Sequence, residues 1–341
     1  MEEDRKKFLL CAGLVLFMAF TTVGSLVFFK VQTGRMVKGM EREAYEEYGN
    51  YYVMIVKDRG SEFWKSVYEG ARDAGAQYDA YVELLGNNLS VEYTREQLME
   101  VAISSHVDGI IVEADESGEM KELIDRAAAE GIPVVTVLGD NTAAERQSFV
   151  GVGNYELGRE YGRQVIQICG KNTKNVLILM GNGQDTSQSV LFSGIQETVE
   201  KEMPMEGKAV LDRKTVDNQS RFAAEESIRD IFMDSGKLPD IIICLDDLST
   251  KCVYQAVVDY NQVGEVDVVG YYDSPSTLQA IERQVVYSTI SIDTGQMGRY
   301  CVEALDEYNE LGNVSEYFSV DVTVINRHNV EKYMEGGAGD A

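Results

Sequence analysis

From Tyr51 onward the chain alternates short apolar runs with longer stretches in which apolar residues return every three or four positions. The runs are Tyr51–Lys57, Tyr78–Leu85, Gly109–Glu113, Pro133–Val137, Phe149–Val152, Val176–Met180, Ala209–Leu211, Asp240–Leu245, Asp267–Tyr272 and Val285–Ile292. Most are apolar at consecutive positions, the pattern of parallel strands covered on both faces. Helical periodicity fills the gaps, over Glu62–Ala74, Arg95–Ser104, Met120–Glu130, Glu156–Ile168, Ser187–Glu200, Arg221–Met233, Ser249–Tyr260, Thr277–Arg283 and Gly295–Glu310. Alternation of this kind predicts an α/β fold of open parallel sheets with right-handed crossovers. About ten strands exceed one comfortable core, so two similar doubly wound lobes are expected. Ligands of such sheets bind beyond the carboxyl ends of the strands, which makes the residues ending each strand the ones to read.

The first residues follow a different pattern. Phe8–Phe29 is a run of 22 residues without a charge. At 1.5 Å rise per residue it spans a hydrocarbon core of about 30 Å, so one N-terminal transmembrane helix is expected. A cleaved signal peptide is the alternative, but its apolar core is usually about 7–15 residues, and this run continues through Leu26-Val27-Phe28-Phe29 past Val23-Gly24-Ser25. Arg5, Lys6 and Lys7 before the span are nearly balanced by Lys30, Arg35, Lys38 and Arg42 after it, a count that only tilts toward N-in. With that orientation the globular body lies on the extracytoplasmic side of the cell membrane. Residues 30–50, rich in Glu, Arg, Met and Tyr, read as a short helical stalk.

Composition narrows the chemistry. The chain has 341 residues, with 57 acidic against 31 basic and a formal net charge of -26. Nucleic acid binding draws on lysine and arginine to displace counterions, so this balance argues against it. His106 and His328 are the two histidines, which leaves no histidine-rich metal site and no metal is expected. Cys169, Cys244, Cys252 and Cys301 lack metal spacing and sit in apolar contexts, as buried free thiols do. Gly181-Asn182-Gly183 begins like a dinucleotide fingerprint, but Thr186 stands where the third glycine belongs; Gly151-Val152-Gly153 fails likewise at Glu156. No GxxxxGK[ST] loop, GxSxG elbow or HExxH occurs. No cofactor and no enzymatic activity are expected.

Several short motifs, in order, carry a resemblance. They are Phe63-Trp64 with Glu69-Gly70-Ala71; Val107-Asp108-Gly109-Ile110-Ile111-Val112; Gly131-Ile132-Pro133-Val134-Val135; Val150-Gly151-Val152-Gly153-Asn154-Tyr155-Glu156-Leu157-Gly158; Val268-Val269-Gly270-Tyr271-Tyr272; and Ile290 through Gly298. Over about residues 50–330 the body resembles the type I periplasmic binding proteins of the ribose-binding group, the solute-binding components of ABC-type importers. The resemblance implies two lobes joined by three hinge strands that close on a small ligand. The first lobe would hold 50–153 and 293–318, the second 154–292 and 319–333. Asn154 is expected to cap the helix after Gly153. Effector domains of the lac-repressor type share the fold but carry an N-terminal helix-turn-helix, whose place is taken here by the apolar span.

The resemblance also implies the ligand site. Phe63 and Trp64 on the first helix would offer aromatic faces, which pack on the C–H faces of sugars and also receive cations. Asp58 and Ser61, with Lys57, occupy the loop before that helix, where relatives hydrogen-bond the ligand. Other strand ends supply Glu113, Asp140, Asp246 with Asp247, and Tyr272 with Asp273. Carboxylates accept paired hydrogen bonds from vicinal hydroxyls and also pair with ammonium groups. The pattern departs from that of pentose binders: Leu138-Gly139 replaces an Asp-Arg pair, Leu191 an arginine, Asp246 an asparagine, and Tyr272 an aspartate. The cleft thus loses arginines and keeps carboxylates, which suits a sugar, a polyol or a small cationic solute better than an anion. Delivery to an ABC permease is the expected role, and reporting to a membrane sensor kinase is the alternative.

Overall fold

A computed structural model describes residues 48–336 except 88–90, 92, 182–185, 205–206, 218–219 and 235–237. The Phe8–Phe29 span and all but the end of the 30–50 stalk lie outside the described residues. Among the described residues no helix is long and apolar enough to cross a membrane.

Among these residues the strands form two six-stranded sheets. The first contains β1 (Asn50–Ile55), β2 (Ala80–Leu84), β3 (Gly109–Val112), β4 (Val134–Val137), β5 (Ser148–Gly151) and β11 (Tyr317–Ser319). The second contains β6 (Thr173–Gly181), β7 (Lys208–Val216), β8 (Ile241–Cys244), β9 (Asp267–Tyr271), β10 (Ser288–Ile292) and β12 (Val322–Asn326). Their orders, β2-β1-β3-β4-β5-β11 and β7-β6-β8-β9-β10-β12, are the same pattern used twice. Every pairing is parallel except β10 with β12. The central strands β3, β4 and β8 are buried at every position, β3 and β8 as unbroken apolar runs and β4 with the single polar residue Thr136.

The helices are α1 (Glu62–Gly75), α2 (Arg95–Ser104), α3 (Gly118–Ala129), α4 (Asn154–Cys169), α5 (Thr186–Glu202), α6 (Arg221–Met233), α7 (Asp247–Asp259), α8 (Pro275–Glu282), α9 (Thr294–Leu311) and α10 (Val330–Gly336). Most begin where a side-chain oxygen accepts an otherwise orphaned backbone N–H: Ser61, Thr94, Ser117, Ser220, Asp246 and Asp293 all do so. Asn154 is a correction. Gly153 occupies the cap position of α4 with no side-chain bond, and Asn154 is already helical.

Two strands and one helix went unread in the sequence. β11 and β12 are short and partly exposed, so they lack the apolar run that marks a buried strand. They matter because of where the chain crosses between sheets: after β5, after β10 and between β11 and β12. These crossings lie side by side. The Val320 N–H donates to the Gly151 carbonyl at 2.9 Å, and the Asp293 N–H donates to the Asp321 carbonyl at 3.1 Å. Gln296 clamps Asp321 twice, its Oε1 accepting the backbone N–H at 2.7 Å and its Nε2 donating to the carboxylate at 3.1 Å. Cys169, Cys244, Cys252 and Cys301 are free and buried, as expected.

Two helix pairs, α1 with α9 and α4 with α5, meet through glycines. A Cβ on Gly298 would lie 2.0 Å from the Val67 carbonyl oxygen, and one on Gly158 would lie 2.1 Å from that of Leu191. Both obstacles are backbone and cannot swing aside. Gly298→Ala is therefore expected to destabilise the chain by about 1–3 kcal/mol, read as a lower urea midpoint at unchanged slope. An unchanged midpoint would mean that α1 and α9 do not approach this closely.

Candidate functional site

The carboxyl ends of β1 and β3 in one sheet approach those of β8 and β9 in the other, across a gap that an aromatic cluster bridges. Phe63, in the first turn of α1, is 4% exposed. Its ring meets Trp64 edge-on at 5.2 Å, Tyr272 edge-on at 5.2 Å and Tyr271 at 5.9 Å. Tyr271 ends β9 and Tyr272 follows it, so Phe63 of one lobe packs directly on the other. Burying a phenyl ring contributes roughly 1.5–3 kcal/mol, and edge-to-face pairs add about 0.5–1.5 kcal/mol.

Tyr272 is held in an unusual conformation. Its φ is +67°, in the left-handed region that β-carbons disfavour. The surroundings impose it: its N–H donates to the Ile290 carbonyl at 2.8 Å, and its carbonyl accepts the Thr289 hydroxyl at 2.8 Å. The first lobe repeats the device at Leu138, after β4, where φ is +62° and the N–H donates to Val150. Burial pushes the Tyr272 phenol pKa up to about 12, with Asp273 adding to the rise. The phenol stays neutral, and its hydroxyl reaches the Glu62 carbonyl at 3.5 Å.

Carboxylates ring this cluster. Glu113, immediately after β3, accepts the Lys57 N–H at 2.7 Å and lies in the field of Asp58. Burial raises its pKa above the ordinary value, against the opposing pull of Lys57 and Arg95. Asp246 caps α7, accepting the Ser249 N–H at 2.7 Å and its hydroxyl at 2.9 Å. Asp247 is largely buried and its pKa is raised by that burial, with Lys251 and the Ser274 hydroxyl opposing. Asp273 is likewise raised by burial, while the Ser291 hydroxyl bonds it. Glu113, Asp246 and Asp247 all act on the Tyr271 phenol, which brings carboxylates of both lobes to one place.

The remaining expected residues are placed as follows. Asp58 is exposed and turns its own loop, accepting the Gly60 N–H at 3.0 Å. Ser61 caps α1 by accepting the Trp64 N–H at 3.1 Å. Trp64 is buried behind Phe63. Asp140 is not brought to the cluster by any described contact. Its oxygens take a bidentate pair from Arg146 at 2.7 and 2.8 Å, plus the Thr136 hydroxyl at 2.6 Å, which makes it a brace within the first lobe.

Three participants escaped the sequence reading. Lys251 donates to Asp247 at 2.9 Å and, across the gap, to Glu62 at 2.7 Å. Arg95, little exposed, pairs with Asp115 at 2.6 Å and reaches the Glu113 carbonyl. Asp247 and Lys251 stand four apart on α7, a spacing that does signal a helical ion pair. Nothing local marks Glu62 or Arg95.

The periplasmic binding protein domain family matches residues 52–312. A structure of the XylFII-LytSN complex is similar at 27% identity and TM-score 0.71, covering 82% of this chain and 98% of that one. GanP, a glucose-galactose binding protein from Geobacillus stearothermophilus, shares the fold at 20% identity and TM-score 0.72, covering 82% of this chain and 98% of its own. So does an ABC transporter solute-binding protein from Burkholderia graminis solved with D-arabinose, at 19% identity and TM-score 0.73, covering 84% and 98%. Comparison with curated proteins gave no match.

The raised carboxyl pKa values set a direction for pH. A carboxylate whose folded pKa exceeds its unfolded value binds more protons in the native state, so its contribution is full below the unfolded pKa and is lost as pH climbs through the folded one. Glu113, Asp247 and Asp273 all act in this sense. Glu100 and Glu197, lowered by hydrogen bonds from Arg126 and Lys201, act in the opposite sense. Glu113→Gln keeps an acceptor for Lys57 and leaves those others untouched. Its melting temperature should rise less than wild type as pH is lowered from 8 to 4, through the ordinary carboxylate range; identical profiles would refute the raised pKa of Glu113.

Proposed function

We propose, for a chain that belongs to the periplasmic binding protein domain family, that the two lobes capture a small sugar-like ligand between them and perform no chemistry on it. The observation that carries this is the convergence, in one gap, of Phe63 from one lobe with Tyr271 and Tyr272 from the other, ringed by Glu113, Asp246, Asp247 and Asp273. Aromatic faces suit the C–H side of a sugar ring, and the carboxylates suit its hydroxyls. Three adjacent chain crossings let the lobes rotate about one line, and a ligand that touches both favours the closed form by its differential affinity. Trp64 supports the wall behind Phe63, Ser61 and Asp58 shape the loop at its edge, and Asp140 stiffens the first lobe.

The body works outside the cytoplasm, attached through Phe8–Phe29. The first lobe is 50–153 with 293–318, and the second is 154–292 with 319–333. Delivery to an ABC-type permease is the primary reading, in line with the solute-binding neighbours of the same fold. One observation favours a second reading: the XylFII relative at 27% identity was solved in complex with another protein, LytSN. On that reading the chain reports ligand occupancy to a membrane sensor kinase, and co-purification with a permease or with a kinase separates the two.

A thermal-shift screen of pentoses, hexoses, polyols, nucleosides and small amines should yield a stabilising ligand, since binding to the native state alone raises the melting temperature. Asp246→Ser keeps an oxygen to cap α7 but removes the charge. It should weaken that ligand about ten- to a hundred-fold, the range of a lost charge-assisted hydrogen bond. Unchanged affinity would remove Asp246 from the site.

Attachment has its own test. The full-length protein should stay with membranes through high-salt and carbonate washes, and removal of residues 1–40 should release a folded body. Recovery of a mature chain beginning near Leu26 would show a processed signal instead.

A further inference from the structure

Where β8 and β9 reach the candidate site, their pairing stops and two side chains take over. The parallel register of these strands ends with Ile243 beside Val269. Cys244 and Gly270 come next, and the buried backbone groups at such a parting need other partners. Tyr161 of α4, fully buried, brings its hydroxyl to the Cys244 carbonyl at 3.0 Å and to the Gly270 carbonyl at 3.3 Å. Thr250 of α7, also fully buried, does the rest. Its Oγ1 donates to the Asp246 carbonyl at 2.8 Å and accepts the Tyr271 N–H at 3.0 Å. The first of these bonds is ordinary, since a helical threonine readily turns back to the carbonyl one turn earlier. The second is not: it reaches another strand, 21 positions along the chain. Room for it comes from Gly270, where a Cβ would lie 2.6 Å from the Thr250 methyl and 3.2 Å from the Thr289 hydroxyl.

We propose that Thr250 is a positioning residue of the site: its hydroxyl holds Asp246 and Tyr271 at a fixed spacing, from a place no solute reaches. A hydroxyl has one proton to give and lone pairs to accept with, so the path from Tyr271 N–H through Thr250 O–H to the Asp246 carbonyl has one direction. Asp246 is thereby tied to β9 through its backbone, while its carboxylate is tied to α7 through Ser249. All of these bonds lie within the second lobe and involve no residue of the first. A binding group keeps its geometry only as well as the residues behind it do, and a displaced group forfeits its hydrogen bonds. The positioning role rests on the reading of Asp246 and Tyr271 as groups that meet a sugar; the hydroxyl link itself does not.

Amide hydrogen exchange tests the link on the full-length chain in detergent, read at single residues by mass spectrometry. The measured quantity is the ratio of the exchange rate at Tyr271 to that at Tyr272, whose N–H donates to the Ile290 carbonyl and serves as the internal standard. A loss of overall stability speeds both amides together and leaves the ratio unchanged. Thr250→Val keeps the shape of the side chain and removes the acceptor, so the ratio should rise about two- to twelve-fold, the factor corresponding to one net hydrogen bond. Thr250→Ser keeps the hydroxyl without the methyl and should hold the ratio at that of wild type. Thr250→Cys, with a weaker acceptor, should raise the ratio in the same direction and serves if Thr250→Val does not fold. D-Glucose, D-galactose and D-arabinose are the probes of the site, titrated by calorimetry. Any of them that binds wild type should bind Thr250→Val about two- to twelve-fold more weakly and Thr250→Ser as wild type. An unchanged ratio in Thr250→Val would overturn the link. A raised ratio with unchanged sugar affinity would overturn the positioning role and leave the proposed function standing. A raised ratio in a chain that binds no sugar would sink the proposed function and leave the link intact.

Discussion

Three segments of chain, running side by side between two sheets, are the constraint on which the rest of the molecule depends. Gly151, Asp293 and Val320–Asp321 are joined to one another by backbone hydrogen bonds, with Gln296 fastening the last two through its side chain. The segments are adjacent, so the two sheets are joined along one line of the molecule. The same arrangement decides what meets across the gap. Residues at the carboxyl ends of β1 and β3 meet residues at the carboxyl ends of β8 and β9, whereas Asp140, after β4, stays within its own lobe.

Within the gap, apolar contact outweighs charge. A buried phenyl ring with edge-to-face neighbours is worth about 2–4 kcal/mol together. An ion pair with one partner half exposed, such as Lys251 with Glu62, is worth about 0–1 kcal/mol. The aromatic cluster therefore supplies most of the cohesion between the lobes. The carboxylates around it are partly desolvated, and burial raises the pKa of Glu113, Asp247 and Asp273. The strain at Tyr272 belongs to this design. A residue at φ +67° after β9 aims its ring at Phe63, and two backbone-directed hydrogen bonds hold it there. Leu138 occupies the matching place in the first lobe with no polar group to offer, so the two strand ends share a geometry and differ in chemistry.

Much of the architecture was legible in the sequence because burial on both faces leaves an unambiguous mark. A strand such as Ile241–Cys244 is buried at every position and reads as an unbroken apolar run, and a helix such as Arg221–Met233 shows its buried face at regular spacing. The ends of these elements were therefore readable, and with them the positions of Glu113, Asp246, Tyr272 and Asp273. β11 and β12 were not readable, since edge strands of three and five residues bury too little to require an apolar run. Asn154 misled for a related reason: a capping residue and a first-turn residue differ by one position, and only the backbone torsion decides between them.

Sequence alone determined the doubled strand–helix pattern, the apolar N-terminal run, the acidic balance and the set of polar residues available at strand ends. Each follows from local periodicity or composition, which no distant residue can alter. Tertiary structure decided which of those polar residues share a place. It committed Asp140 to Arg146, set Asp246 to capping a helix, turned Phe63 onto Tyr271 and Tyr272, and brought Lys251 to Glu62 across 189 positions of chain. Contacts at that separation depend on the order of strands and on the crossings between sheets, and neither leaves a trace in the spacing of the residues that finally meet.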